Sequence, residues 1–159
     1  MWLNRFVILS IIFMIKLQNR EEYDQIIQKW MLGRDQCPFC EPQLDRDYIL
    51  WEGKSLRIVY NKYPYVGTHE HLMVVPIAHH KFASEFSSDE WIEMWEIHHF
   101  MEKFFLDKLY FSFTRENFHE NIADGRSVEH WHMHFLPGKL EGKFLRKMLE
   151  WQGFSIIQD

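Results

Sequence analysis

Apolar and polar positions alternate along the segment from His130 to Pro137, near the C-terminal end of the chain. Histidines occupy every second place, and Trp131, Met133 and Phe135 lie between them. A period of two predicts a β-strand with unlike faces, the apolar side chains in a core and three imidazoles opposite. Adjacent histidines would lie about 6.6 Å apart and the outer pair about 13 Å, so one metal ion cannot bind all three on a regular strand. We therefore expect the three histidines to have different functions.

The rest of the chain shows periodicities that predict four further strands and three helices. Short runs rich in β-forming residues predict strands over residues 48–51, 56–60, 71–75 and 110–114. Capping-box patterns at Asn19 and Ser87 begin two helices, which extend to Gly33 and through Leu109. A third helix is expected between residues 138 and 153. Short connections between successive strands favour an α+β fold, with an antiparallel sheet of about five strands and helices packed against it.

The longest predicted helix should bury one face against the sheet. Its apolar positions are Trp91, Met94, Trp95, Met101, Phe105 and Leu109. His98 lies on or beside this face, and we interpret it as a histidine at the edge of the core, not as a ligand.

The first 18 residues contain an almost wholly apolar stretch from Phe6 to Ile15, between Arg5 and Lys16. This stretch is too short to cross a bilayer, for which about 20 residues are needed. Its charged and apolar regions resemble a signal peptide, but no small-residue cleavage site follows. A dispensable leader (with Met14 as an alternative start), a packed element and a membrane anchor all stay open. We divide the chain into a leader of open status, residues 1–18, and a single domain, residues 19–159.

Composition and charge narrow the possible classes of function. The 159 residues are 47% hydrophobic and 17% aromatic, which suits one folded domain and disfavours disorder. A net charge of −5 disfavours non-specific nucleic-acid binding, although a small basic pocket for phosphates stays compatible with it. Both cysteines lie in Cys37-Pro38-Phe39-Cys40, which predicts a metal knuckle or a redox pair, not a secreted disulfide framework. We therefore expect a reducing, cytoplasmic compartment, with neither a nucleic-acid partner nor a membrane.

The histidine run also resembles a known signature. The segment from His130 to Leu136 is similar to the His-φ-His-φ-His-φ-φ pattern (φ is apolar) of the histidine triad (HIT) superfamily of nucleotide hydrolases and transferases. Other segments resemble further patterns of that family: residues 125–128, residues 71–76 with His79 after them, and the Cys-x-x-Cys of its zinc-containing members at residues 37–40. The resemblance implies a HIT-like α+β fold, a nucleotide substrate and, as is usual in the family, a homodimer.

By that resemblance, His132 is the nucleophile that attacks an α-phosphate and forms a nucleotidyl–histidine intermediate. Imidazole suits this chemistry because it is neutral near pH 7 and is a good leaving group from phosphorus. For Nε2 to attack, Nδ1 must keep its proton, usually by donating to a backbone carbonyl. His134 and Ser127 are the implied donors to the phosphate oxygens, and Arg126 could add a cation. Ordinary loop polarity stays an alternative explanation for Arg126 and Ser127.

Two asparagines complete the implied substrate site. Asn61 would face the ribose, although a turn residue at a strand end explains it equally well. We prefer Asn117 to Asn121 as the active-site asparagine, although neither has the spacing typical of the family. The chain departs from the family pattern in two other places: Glu70 stands where glycine is usual, and Gly138-Lys139 replaces the frequent arginine after the proline.

The first histidine of the triad has a different implied role. In zinc-containing members it is a metal ligand, and the resemblance carries this role over to a set of Cys37, Cys40, His79 and His130. Four protein ligands make a closed tetrahedral site, which is structural because no position is left for a catalytic water. His80 is adjacent to His79 and is an alternative ligand. A redox pair or two free thiols stay alternatives for the cysteines.

The sequence thus predicts a nucleotide hydrolase or nucleotidyl transferase with a structural zinc ion and His132 as nucleophile. A dinucleoside polyphosphate or a nucleotide phosphoramidate would fit as substrate. The alternatives are a phosphorylase or hexose-1-phosphate-type nucleotidylyltransferase, a nucleotide-binding module without turnover, and a hydrolytic zinc site with His130 and His132 as ligands. Three observations distinguish them. They are whether phosphate can replace water as the acceptor, whether a covalent nucleotidyl adduct can be trapped, and whether zinc is stoichiometric with both cysteines protected from alkylation.

Overall fold

Five strands and two α-helices make up the described part of the chain. The computed structural model describes residues 37–65, 70–116, 128–138 and 142–151. The elements are β1 (Ile49–Glu52), β2 (Leu56–Tyr60), β3 (Leu72–Pro76), α1 (Ser88–Phe104), β4 (Tyr110–Phe113), β5 (Met133–Pro137) and α2 (Gly142–Trp151). The leader and the helix predicted over residues 19–33 lie outside these ranges. Within them, no helix is both long enough and apolar enough to cross a membrane.

The strands form one antiparallel sheet in the order β1-β2-β3-β5-β4, which confirms the predicted α+β fold. The histidine strand β5 is internal, and His134 lies opposite Met73 of β3 and Phe113 of β4. The strand begins at Met133, so the prediction that it starts at His130 was wrong. The backbone N–H of Trp131 instead donates to the His80 carbonyl, which takes this part of the chain out of the ladder.

Helix α1 packs on one face of the sheet. Ser87 and Glu90 form the predicted capping box, and the helix buries Met94, Ile97, Met101 and Phe104. These four positions follow a 3-4-3 spacing, which is the narrow stripe of a helix that faces a sheet. Apolar side chains of the strands, among them Leu56, Ile58, Leu72, Val74 and Phe135, complete this core.

The predicted apolar face of this helix was therefore only partly right. Trp91 and Trp95 are 49% and 64% exposed, and Leu109 follows the helix and is 62% exposed. The prediction counted every large apolar residue. The position of the buried stripe on the helix decides which of these residues face inward. The interpretation of His98 is confirmed, since its half-buried ring lies 5.4 Å from the ring of Phe135 in the core.

The turn between β1 and β2 is held by a carboxylate of α1. Glu93 accepts the backbone N–H groups of Lys54, Ser55 and Leu56 at 2.8, 2.8 and 2.9 Å. A Cβ at position 53 would lie 1.7 Å from Oε1 of Glu93, so a larger residue would displace this carboxylate from the N–H groups that it accepts. These contacts fix the hairpin against the helix.

The cysteine loop covers part of the opposite face of the sheet. Phe39 and Ile49 pack there against a small cluster of Val59, Met73 and Val75. The buried Arg57 fastens the loop, since it donates to Glu52 at 2.5 Å and to the carbonyl of Phe39 at 3.4 Å. The same hydrogen bond from Arg57 lowers the pKa of Glu52 below its ordinary value. The loop is thereby held beside the residues that precede β5.

Candidate active site and metal centre

Two cysteines and two histidines from three separate parts of the chain come together beside β5. One potential ligand atom from each of Cys37, Cys40, His79 and His130 lies within 4.8 Å of all the others. Nδ1 of His130 is 3.4 Å from the sulfur atoms of both cysteines, and Nδ1 of His79 is 3.2 Å from that of Cys40. These are the four residues of the predicted metal set.

The donor set fits a tetrahedral zinc ion. Zn–S bonds of ~2.3 Å and Zn–N bonds of ~2.0–2.1 Å place neighbouring sulfur and nitrogen ligands about 3.6 Å apart. The sulfur–nitrogen distances of 3.2 to 3.4 Å are close to that value. Two thiolates and two imidazoles are also a common donor combination in structural zinc sites.

The hydrogen bonding of His130 favours metal ligation through one ring nitrogen. Its Nε2–H donates to the carbonyl of Pro76 at 2.9 Å, so the lone pair is on Nδ1, which faces the two sulfur atoms. Burial, with a further contribution from His79, lowers the pKa of His130 to about 3. Burial raises the pKa of the Cys37 thiol to about 12, so a bound metal ion would have to displace its proton. His130 is thus held neutral, the form in which imidazole binds a metal.

His80, the alternative ligand, points elsewhere. Its Nε2 lies 2.9 Å from Oε1 of Glu90, the same carboxylate that closes the capping box of α1. Its backbone carbonyl accepts the N–H of Trp131 at 2.7 Å. The geometry therefore selects His79 over His80 for the metal set.

The ring of His132 is held by a hydrogen bond to the backbone. Its Nδ1–H donates to the backbone carbonyl of His130 at 2.8 Å, as the sequence analysis requires of a nucleophile. In the neutral ring this places the lone pair on Nε2. The carbonyl of His132 accepts a hydrogen bond from the Thr114 hydroxyl at 3.0 Å, and the ring of Phe39 lies 5.5 Å from the imidazole. The cysteine loop thus contacts the candidate nucleophile directly.

His134 belongs to a chain of hydrogen bonds that sets its tautomer. The backbone N–H of Tyr65 donates to Nδ1 of His71 at 3.2 Å, so the proton of the neutral His71 ring is on Nε2. That Nε2 lies 2.8 Å from Nδ1 of His134 and donates to it. The proton of His134 is therefore on Nε2, where it can be given to an acceptor. Sequence analysis assigned no function to His71 or Tyr65, because this contact depends on the alignment of β3 with β5.

The remaining predicted site residues are only partly described. Asn61 is buried at the end of β2, where its Oδ1 accepts the N–H of Tyr63 and its Nδ2 lies 3.2 Å from Nδ1 of His71. Its contact with the ribose stays a prediction. Asn117, Arg126 and Ser127 lie outside the described residues.

Two further carboxylates have contacts near the site that sequence analysis missed. Glu116 accepts the indole N–H of Trp131 and the backbone N–H of Ala83, which fixes the segment leading into β5. Glu70, which stands where the family usually has glycine, forms an ion pair with Lys108 at 2.5 Å. A polar side chain is thus accommodated at that position.

Comparison with known proteins supports the architecture. No protein-family model matches the sequence, and no curated protein sequence matches it. Among solved structures, a diadenosine triphosphate hydrolase of Plasmodium falciparum, in complex with cyclomarin A, matches with a TM-score of 0.53 at 15% identity, covering 82% of this chain and 97% of that one. A histidine triad nucleotide-binding protein of Candida albicans matches with a TM-score of 0.52 at 15% identity, covering 74% and 94%.

The chain has the histidine triad fold. Within this HIT fold, the three histidines that name it stand at positions 130, 132 and 134 of the chain. The rings of His132 and His134 lie 4.9 Å apart, while Trp131 and Phe135 belong to the hydrophobic core. The structure also gives the three histidines different hydrogen-bond partners, as expected from their spacing.

Proposed function

We propose that the protein is a nucleotide hydrolase or nucleotidyl transferase that acts at an α-phosphate through His132. The observation that carries the proposal is the hydrogen bond from Nδ1 of His132 to the carbonyl of His130. It holds the ring in the tautomer with a lone pair on Nε2 and orients that nitrogen, which are the two requirements for a neutral nucleophile.

In the proposed reaction, Nε2 of His132 attacks the α-phosphorus, and the bond from phosphorus to the leaving group breaks. The resulting nucleotidyl–histidine is then attacked by water or another acceptor, which releases the nucleotide and restores the imidazole. Nε2–H of His134, set by His71, donates to a phosphate oxygen on which charge develops. Ser127, Arg126, Asn117 and Asn61 remain proposed substrate contacts.

We also propose that Cys37, Cys40, His79 and His130 hold a structural zinc ion. The bound ion would join the cysteine loop to the segment before β5 and supply no reactive position. His132 is not among the four donors, which disfavours the alternative of a hydrolytic zinc site with His130 and His132 as ligands. Thiolate ligands are preserved in a reducing compartment, so a cytoplasmic location stays part of this proposal. A homodimer also stays part of it, by resemblance to the family.

Substrates with an adenosine nucleotide are the first to test, since the P. falciparum structure of the same fold is named for hydrolysis of diadenosine triphosphate. Purified protein is incubated in ¹⁸O-labelled water with diadenosine polyphosphates and with an adenosine phosphoramidate, and the products are resolved by mass. Attack at the α-phosphorus predicts that the label enters AMP. Label found only in the released polyphosphate would contradict the proposal.

His132→Ala provides the matched variant for this assay. It should lower turnover by a factor of about a thousand or more, because the covalent route is lost, while nucleotide binding remains. A fully active variant would contradict the role of His132. If wild-type protein binds nucleotides but turns none over, the binding-module alternative is favoured. Formation of a nucleoside diphosphate on addition of inorganic phosphate would identify a phosphorylase.

A further inference from the structure

Arg115 lies just beyond the end of β4, at the edge of the sheet. In the β4–β5 ladder, Phe113 pairs with His134, so Arg115 and His132 each lie two residues beyond this pair, where neither segment is still part of the ladder. The hydrogen bond from the Thr114 hydroxyl to the carbonyl of His132 keeps the two segments in contact there.

Contacts of the Arg115 side chain agree with this placement. Its Nη2 donates to the hydroxyl of Tyr65 at 3.4 Å. The Tyr65 ring lies 4.9 Å from the ring of His71, 5.5 Å from that of His134 and 6.3 Å from that of Phe113. The guanidinium group is therefore at the end of the aromatic and imidazole cluster that holds the candidate phosphate donor.

A comparison with Arg57 separates two uses of arginine on this face. Arg57 is 5% exposed, ion-paired with Glu52 and bound to the carbonyl of Phe39, so it serves the cysteine loop. Arg115 is half-buried and contacts a tyrosine hydroxyl on the side of His132 and His134. A guanidinium keeps its charge near neutral pH, so Arg115 can supply a cation for a polyphosphate on this side of the sheet.

We infer that Arg115 binds the phosphates beyond the α-phosphate and selects nucleotides with a polyphosphate chain over those with one phosphate. The inference rests on the proposed function and narrows its substrate class. Nε2–H of His134 already serves an oxygen of the α-phosphate, whereas the guanidinium at the end of this cluster can take two oxygens of the next phosphates through its paired N–H groups. A dinucleoside or nucleoside polyphosphate is then preferred over a phosphoramidate.

The test measures binding to the full-length chain in the His132→Ala background, by calorimetry with adenosine, AMP and ATP as probes. Arg115→Gln should weaken ATP binding by about tenfold or more, weaken AMP binding less, and leave adenosine binding unchanged, since charge-assisted hydrogen bonds to the outer phosphates are lost. Arg115→Lys keeps the charge without the fork and should fall between the two. Equal weakening for adenosine and ATP, or none for either, would overturn the inference.

Arg46→Gln is the matched control, because it removes the same charge beside β1, at the opposite edge of the sheet from β4. ATP binding should not change in this variant; a loss equal to that of Arg115→Gln would overturn the inference in favour of a general charge effect. Thermal unfolding of each variant verifies folding. If the wild type turns over its substrate but Arg115→Gln binds ATP as tightly as its parent, this inference alone is overturned. Selective loss of ATP binding with no turnover by the wild type supports it and overturns the proposed function.

Discussion

His130 and His132 are two residues apart in sequence, yet they are bonded in opposite ways. His130 donates from Nε2 to the carbonyl of Pro76, so its Nδ1 faces the sulfur atoms of Cys37 and Cys40. His132 donates from Nδ1 to the carbonyl of His130, which leaves the lone pair on Nε2. The first arrangement suits the proposed metal ligand, and the second suits the proposed nucleophile.

The difference shows that the hydrogen-bond partner of each ring distinguishes the three histidines. His134 gives the third case, because it accepts from His71 at Nδ1 and so presents N–H at Nε2. Each assignment follows from one neighbouring group that fixes where the proton resides. Variants that act on only one end of the histidine run can therefore test whether the two ends are independent.

The largest effect is expected at the metal end. Cys37→Ser should lower bound zinc from one equivalent to a small fraction and reduce the free energy of unfolding by about 3 kcal/mol or more, because metal binding contributes directly to folding. Elemental analysis and urea unfolding measure both quantities. His132→Ala is the comparison variant, which should keep its zinc and its stability. Loss of zinc in His132→Ala, or full zinc in Cys37→Ser, would contradict the division.

A smaller effect is expected at the catalytic end from His71→Phe. The substitution keeps a ring against Tyr65 but removes the N–H that sets the tautomer of His134. We expect kcat to fall by about 10- to 100-fold with zinc content unchanged, as for other groups that orient a functional histidine. Steady-state kinetics measure this effect. His99→Phe, at an exposed position of α1, should leave kcat unaltered.

The smallest effect concerns the fastening of the cysteine loop. Arg57 holds the pKa of Glu52 below 4.5, so this pair adds stability above that pH and the contribution is lost as the pH falls through the lowered pKa. Glu52→Gln should be less stable than the wild type near neutral pH and approach it in acid. Urea unfolding between about pH 7 and about pH 3 measures the difference. Glu41→Gln removes an exposed carboxylate and should show no such convergence.

The alternation of residues 130–137 was enough to predict that a strand lies there but not that it begins at Met133, because the hydrogen bond from Trp131 to the His80 carbonyl forms only in the folded chain. Sequence analysis preferred His79 to His80 by resemblance alone, since Glu90 of α1 reaches His80 only in the folded chain. The contact between His71 and His134 joins positions 63 residues apart and depends on strand register. The contact of Arg115 with Tyr65 has the same origin. Local patterns predict elements, whereas register and packing decide which side chains meet.

The separation of the histidines is tested most directly by locating the covalent intermediate. Wild-type protein is mixed with a diadenosine polyphosphate, quenched within one turnover under neutral or alkaline conditions, digested and analysed by mass spectrometry. The account predicts a peptide carrying one AMP group, attached at His132. Attachment at His130 or His134, or AMP formation without any adduct across the quench times, would contradict it.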